Sequence, residues 1–159
     1  MTRASNKIVR ARTHVATRVA ALPHPIVFTN GCFDILHRGH VTYLEEARAL
    51  GGSLVVGVNT DASARRLNKG ADRPINPLDD RLAVLAALES VSLVIPFEED
   101  MLIELIKLVR PDHLVKGGDW SVEKIVGAQF VRSYGGQPHS IAFRYERSTT
   151  DLIRRIRGH

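Results

Sequence analysis

His37-Arg38-Gly39-His40 places two imidazoles three residues apart, directly after an apolar run with strand character. If a helix begins there, both rings lie on one side of its first turn, and the glycine leaves the backbone between them unshielded. A helix start carries unpaired N–H groups and a partial positive charge. Two histidines beside it therefore make a compact seat for the oxyanions of a nucleotide. A bare H-x-x-H pattern also fits two histidines satisfied near a helix cap, or two ligands of a metal. The metal account is the weaker, because the zinc helix motif spaces its histidines by four and adds a glutamate, and no cysteine cluster supplies further ligands.

A second group lies near the C-terminus. Arg147-Ser148-Thr149-Thr150-Asp151 precedes the apolar positions Leu152, Ile153 and Ile156, the pattern of a hydroxyl-capped helix start. An ordinary N-cap is the plain alternative. Between the two groups, Lys69 can reach a phosphate as a point charge and Arg81 offers a bidentate fork, with a solvated surface as the alternative for both. Gly31 can take backbone angles other residues avoid and lets a ligand approach the turn, while Phe33 packs into the core. Asp34 would repel a triphosphate at close range; it holds the turn, engages magnesium through water, or caps the helix. Lys116-Gly117-Gly118-Asp119 can line a nucleoside pocket, or Asp119 can cap the next helix. Trp120 is a lid or a core residue.

These residues need a scaffold, and the apolar pattern supplies one. Runs with β-branched residues recur at 26–29, 54–58, 91–95, 113–115 and 140–143 and predict five strands. Between them Val41-Leu44-Ala47-Leu50, Leu82-Leu85-Leu88 and Leu102-Leu105-Ile106-Val109 have helical spacing, and a further helix is predicted from Ser121 to the stop at Gly135-Gly136. Strands alternating with helices imply right-handed crossovers: a single Rossmann-like α/β domain with a five-stranded, mostly parallel sheet and helices on both faces. Ligands of such sheets bind beyond the C-terminal strand ends, where the His-x-Gly-His turn follows the first strand. Residues 1–24 form a leader, read as an accessory helix outside the core, with a flexible leader as the competing account; residues 25–159 form the nucleotide-handling domain.

At 159 residues, 44% hydrophobic and 25% charged, the chain has the proportions of one soluble domain. A net charge of +5 suits an anionic partner, but the basic residues are dispersed, which favours small phosphorylated ligands over nucleic acid. No apolar stretch approaches the roughly 20 residues of a membrane span, and no signal-peptide core follows the basic N-terminus. The single cysteine, Cys32, forms no internal disulfide and agrees with a cytoplasmic location.

The run from Thr29 to His40, TNGCFDILHRGH, resembles the signature of the nucleotidylyltransferase superfamily, whose members join a phosphorylated small molecule to a nucleoside monophosphate taken from a triphosphate. The resemblance implies that Thr29, Asn30, Gly31, Cys32, Phe33 and Gly39 wrap the nucleotide, and that His37 and His40 bind phosphate and stabilise the transition state. It also implies that Ser148 and Thr149 contact the β- and γ-phosphates, with Arg147 adding a charge-assisted contact. Glu146 stands where many relatives have glycine. Lys69-Gly70, Arg73-Pro74-Ile75-Asn76-Pro77, Arg81 and the stretch Leu114 to Asp119 are similar to the heptose 1-phosphate adenylyltransferase subfamily. That likeness implies ATP, carried with Mg2+, and D-glycero-β-D-manno-heptose 1-phosphate as substrates, giving ADP-heptose and pyrophosphate. It assigns Lys69 to catalysis, Lys69 and Asp34 to the sugar phosphate, and Arg81, Lys116, Gly117 and Asp119 to the nucleotide. It further implies a homodimer and a separate upstream heptose kinase. A cytidylyltransferase acting on glycerol 3-phosphate, and a nucleotide-binding regulatory module without turnover, are the rival readings.

Overall fold

The computed structural model describes residues 1–67, 72–145 and 148–158. Among these, the strands are β1 (Ile26–Gly31), β2 (Ser53–Asn59), β3 (Leu93–Phe97), β4 (His113–Gly117) and β5 (Gln137–Ile141). They form one parallel sheet in the order β3-β2-β1-β4-β5. The helices are α1 (Arg12–Ala20), α2 (Arg38–Arg48), α3 (Asp61–Arg66), α4 (Leu78–Ala87), α5 (Leu102–Val109), α6 (Ala128–Ser133) and α7 (Thr149–Arg157). None is long and apolar enough to cross a membrane.

The central strands are buried on both faces, so their sequences read as continuous apolar runs: all seven residues of β2 are buried. One core packs Phe28, Val55 and Ile95 against Leu105, Ile106 and Val109 of α5 and Val131 of α6. Val15 and Val19 of α1, with Val9 before it, are buried in this same core instead of lying outside it. The opposite core joins Val27, Val56 and Val115 to Tyr43, Leu44 and Ala47 of α2 and Leu82 and Leu85 of α4.

Both outer strands depart from the expected positions. β3 runs to Phe97 and β5 begins at Gln137, because each tolerates a proline, Pro96 and Pro138, at an edge where one missing N–H breaks no central ladder. The helix predicted from Ser121 is instead a 3-10 turn, Val122–Lys124, and the short α6, separated by Gly127 in the left-handed region at φ 88°. α3, six residues capped by the Thr60 hydroxyl, was too short to show a period.

The chain leaves β1 toward β2 and leaves β4 toward β5, in opposite directions across the sheet. This opens a crevice at the C-terminal ends of β1 and β4, the place where such sheets take ligands.

Candidate active site

The turn after β1 is built around Phe33, whose backbone is held in the left-handed region at φ 49°. A bulky residue there is strained, and such strain persists only where the surroundings fix it. Here the ring lies against Gly31, where a side chain would come within 3.0 Å of it, and meets His40 edge-on. The turn delivers the chain to His37, the N-cap of α2, whose Nδ1 accepts a hydrogen bond from Gly39 N at 3.1 Å. A neutral ring that accepts at Nδ1 carries its proton on Nε2. His37 and His40 stack at 3.9 Å between centroids, and the absence of a side chain at Gly39 leaves room for the His37 ring.

His37, His40, Cys32, Phe33 and Asp34 line a cleft of about 450 Å³ together with Arg73, Phe143, Ser148, Thr149 and Thr150. The imidazole pair and the start of α7 therefore face the same space. Ser148 Oγ accepts from Asp151 N and keeps its own proton for a ligand. Thr149 spends its hydroxyl proton on Ile35 O at 3.1 Å and pins α7 to the β1 turn, so its side chain is a fastener, and of its donors only the backbone N–H at the helix start is left for the phosphate contact that the resemblance implied.

A second cleft of about 550 Å³ shares Cys32 with the first. Asn30 and Gly31 of β1, Asn59 of β2, Glu99, Lys116 of β4, Trp120 and Lys124 line it. Trp120 is thus half-exposed at a cleft wall, not a core residue.

Two assigned residues, Thr29 and Arg81, are taken up by other contacts. Thr29 is wholly buried and bonded to the Tyr43 hydroxyl, out of reach of a nucleotide. Arg81 is also buried. Its Nε donates to Asn76 O, its Nη1 to Cys32 O and Asn59 O, and its Nη2 to Asp61 Oδ1, so it ties the strand ends together and does not grip phosphate. Gly117 lies beneath Tyr43 and Phe143, and a side chain there would come within 2.8 Å of the Phe143 ring. Asp119 is exposed in the bend after β4 and caps no helix, the nearest N-cap being Ser121. Lys69 and Arg147 lie outside the described residues.

Asp34 resolves to the turn-holding alternative rather than to sugar phosphate. Its Oδ2 accepts from Arg73 Nε at 2.6 Å and from Ile75 N at 2.9 Å, and its Oδ1 from Asn76 N at 2.8 Å. Burial pushes its pKa up, but the two backbone N–H groups and the Arg73 guanidinium outweigh burial and hold it below the ordinary carboxylate value. A depressed acid contributes stability above its unfolded pKa of about 3.9 and loses it as pH falls through the lower folded value. The stability difference between the wild type and Asp34→Asn, measured by denaturant unfolding across pH, should therefore be full above pH ~5 and shrink below pH ~4. A constant difference would mean that the carboxylate charge is not what holds the segment.

Sequence reasoning did not assign Arg73, Asn59 or Glu99 to the site. Arg73 had a signal, the proline-flanked run after it; Asn59 was the lone amide ending an apolar strand; Glu99, one of three consecutive acids, had none.

Residues 28–155 match the family model described as cytidylyltransferase-like. The chain is 53% identical over 153 residues, 96% of its own length and 94% of the other's, to a D-beta-D-heptose 1-phosphate adenylyltransferase of Bordetella bronchiseptica. It is 59% identical over 132 residues to the bifunctional protein HldE of Pseudomonas paraeruginosa, covering 83% of this chain but only 28% of that one. Among solved structures, a lipopolysaccharide core biosynthesis protein of Thermoplasma volcanium superposes with a TM-score of 0.62 at 31% identity, over 77% of this chain and 98% of that one. A pantothenate synthetase of Thermus thermophilus, at 20% identity and a TM-score of 0.59 over 85% of this chain and 61% of that one, shares the fold.

Proposed function

The chain belongs to the cytidylyltransferase-like family, and on that footing we propose that it transfers AMP from ATP to D-glycero-β-D-manno-heptose 1-phosphate, giving ADP-heptose and pyrophosphate. The observation that carries this reading is the single cleft lined by His37, His40 and the hydroxyl-capped start of α7. The adenylyltransferase relative, matched nearly end to end, supports the choice of nucleotide and acceptor.

An oxygen of the sugar phosphate attacks the α-phosphorus of ATP in line, the bond to the β-phosphate bridging oxygen breaks, and pyrophosphate leaves. The attacking oxygen is already ionised near neutral pH, so no general base is required. The protein's work is alignment and stabilisation of charge on the α-phosphate and the departing pyrophosphate. His37 Nε2–H, the His40 ring, Ser148 and the first N–H groups of α7 are donors converging on that charge. Lys69 and Arg147 add cations in this scheme.

Among the described residues no group of three or more His, Cys, Asp or Glu side chains is placed to hold a metal, and both Asp34 oxygens are engaged. Magnesium would enter with the nucleotide substrate, where it would neutralise phosphate charge. The acceptor's phosphate must be installed beforehand by a sugar kinase, and the reaction belongs in the cytoplasm, where ATP is supplied.

Pyrophosphate release from purified protein, with ATP or CTP against heptose 1-phosphate or glycerol 3-phosphate, tests the reading. Turnover is expected with ATP and heptose 1-phosphate. Turnover confined to CTP and glycerol 3-phosphate would replace it with the cytidylyltransferase reading, and nucleotide binding without turnover would leave the regulatory one.

A further inference from the structure

The second cleft has an internal charge order that the transfer chemistry leaves unused. Lys116 and Lys124 stand among its lining residues, and so does Glu99, a carboxylate in a cleft that is to receive a phosphorylated substrate. A carboxylate repels phosphate, so the part of the acceptor that meets Glu99 is the part that carries no charge. Glu99 is also held in place. Its Oε2 accepts from Asn59 Nδ2 at 2.6 Å, its backbone N donates to Ser63 Oγ at 2.9 Å, and the same Ser63 oxygen accepts from Asn59 Nδ2. Asn59 is 1% exposed and is itself fixed at the end of β2, where its carbonyl accepts from Arg81. The remaining oxygen, Oε1, bonds no described residue. A carboxylate oxygen so oriented accepts hydroxyl protons and little else that a phosphorylated small molecule presents. Trp120, half-exposed on the same cleft, adds an aromatic wall suited to the C–H face of a sugar ring.

We propose that Glu99, oriented by Asn59, reads the hydroxyl groups of the acceptor and makes this cleft selective for a polyhydroxylated phosphate over a plain alkyl phosphate, with Lys116 and Lys124 attracting the acceptor's phosphate. The proposal rests on the transfer reaction above and assigns the acceptor to the second cleft, so Lys116, which the resemblance gave to the nucleotide, serves the acceptor's phosphate instead.

The test compares kcat/KM for heptose 1-phosphate and for butyl phosphate, which offers a phosphate without hydroxyls, in the wild type, Glu99→Ala and Glu99→Gln. Removing a charge-assisted acceptor should cut kcat/KM for heptose 1-phosphate roughly 10- to 100-fold, mostly through KM. Butyl phosphate should be unaffected or improved, and KM for ATP should stay within about twofold. Glu99→Gln keeps a neutral oxygen and the span to Asn59, should fall between the two, and carries the test should the alanine variant unfold. Equal losses with both acceptors would mark Glu99 as merely structural, and a rise confined to the KM for ATP would place the nucleotide in this cleft; either overturns the proposal while the transfer reaction stands. Should the wild type instead use only CTP and glycerol 3-phosphate, the functional reading fails, and Glu99 is judged by the same ratio with glycerol 3-phosphate against butyl phosphate. Should no acceptor turn over, calorimetric binding of heptose 1-phosphate and butyl phosphate to the same variants decides it.

Discussion

Replacing His37 with alanine is expected to lower kcat by about 10²- to 10³-fold, the loss of roughly 2.7–4 kcal/mol of transition-state stabilisation that follows deletion of one donor aimed at developing oxyanion charge. The size follows from the geometry. Because Nδ1 is occupied by Gly39 N, the ring cannot rotate away without uncapping α2, so an imidazole that lines the cleft is held there without reorganisation at the moment of reaction. His40, stacked on it at 3.9 Å, should show a loss of the same order, and the double variant should be far less than the product of the two, since the rings position each other. Stability separates this account from a capping role. His37→Ala removes a cap worth ~1 kcal/mol, whereas His37→Asn restores a good N-cap acceptor without the reach of an imidazole. Asparagine should therefore recover the melting temperature and leave turnover low. If His37→Asn recovered turnover along with stability, His37 would be a cap and no more.

The readings that survived contact with the structure are those fixed by local pattern. β1 and β2 were legible because a strand buried on both faces must be apolar throughout, and α2, α4 and α5 because Leu44-Ala47, Leu82-Leu85 and Leu102-Leu105-Ile106-Val109 each mark one buried face, while Val41, Leu50 and Leu88 of the same stripes are only half-buried. The family resemblance carried by the run from Thr29 to His40 is borne out by the relatives, and that run does form the turn at the sheet's switch point. What was not legible depends on contacts between distant segments. Thr29 looked available because nothing local announces that Tyr43 will cover it. Asp34 gave three alternatives, and the choice among them is made by Arg73, Ile75 and Asn76, about forty residues away along the chain. Glu99 reaches the second cleft only because β3 lies beside β2 and ends next to Asn59.

Arg81 is the sharpest case, and it leads to the largest expected loss of stability. A guanidinium fork suits phosphate, but its donors suit backbone carbonyls equally, and here the oxygens of Cys32, Asn59 and Asn76 and the Asp61 carboxylate take them at 2.7–3.0 Å. Those partners come from the β1 turn, the end of β2, the segment before α4 and the start of α3, so one side chain holds the walls of both clefts in register. Arg81→Met keeps the apolar volume but leaves three carbonyls and a carboxylate without their donors. Removing one member of such a buried, charged network costs about 3–5 kcal/mol, which for a chain of this length is on the order of 10 °C in Tm. Arg81→Lys retains the charge but presents a compact ammonium that cannot span the same four acceptors, so most of the loss should remain. Calorimetric unfolding of both variants, with nucleotide affinity measured on the folded protein at low temperature, separates this role from phosphate binding. A lysine variant with the wild-type Tm and weakened nucleotide affinity would return Arg81 to the ligand. A large drop in Tm in both variants identifies it as the bolt behind Cys32 and Asn59, on which the two clefts depend for their shared wall.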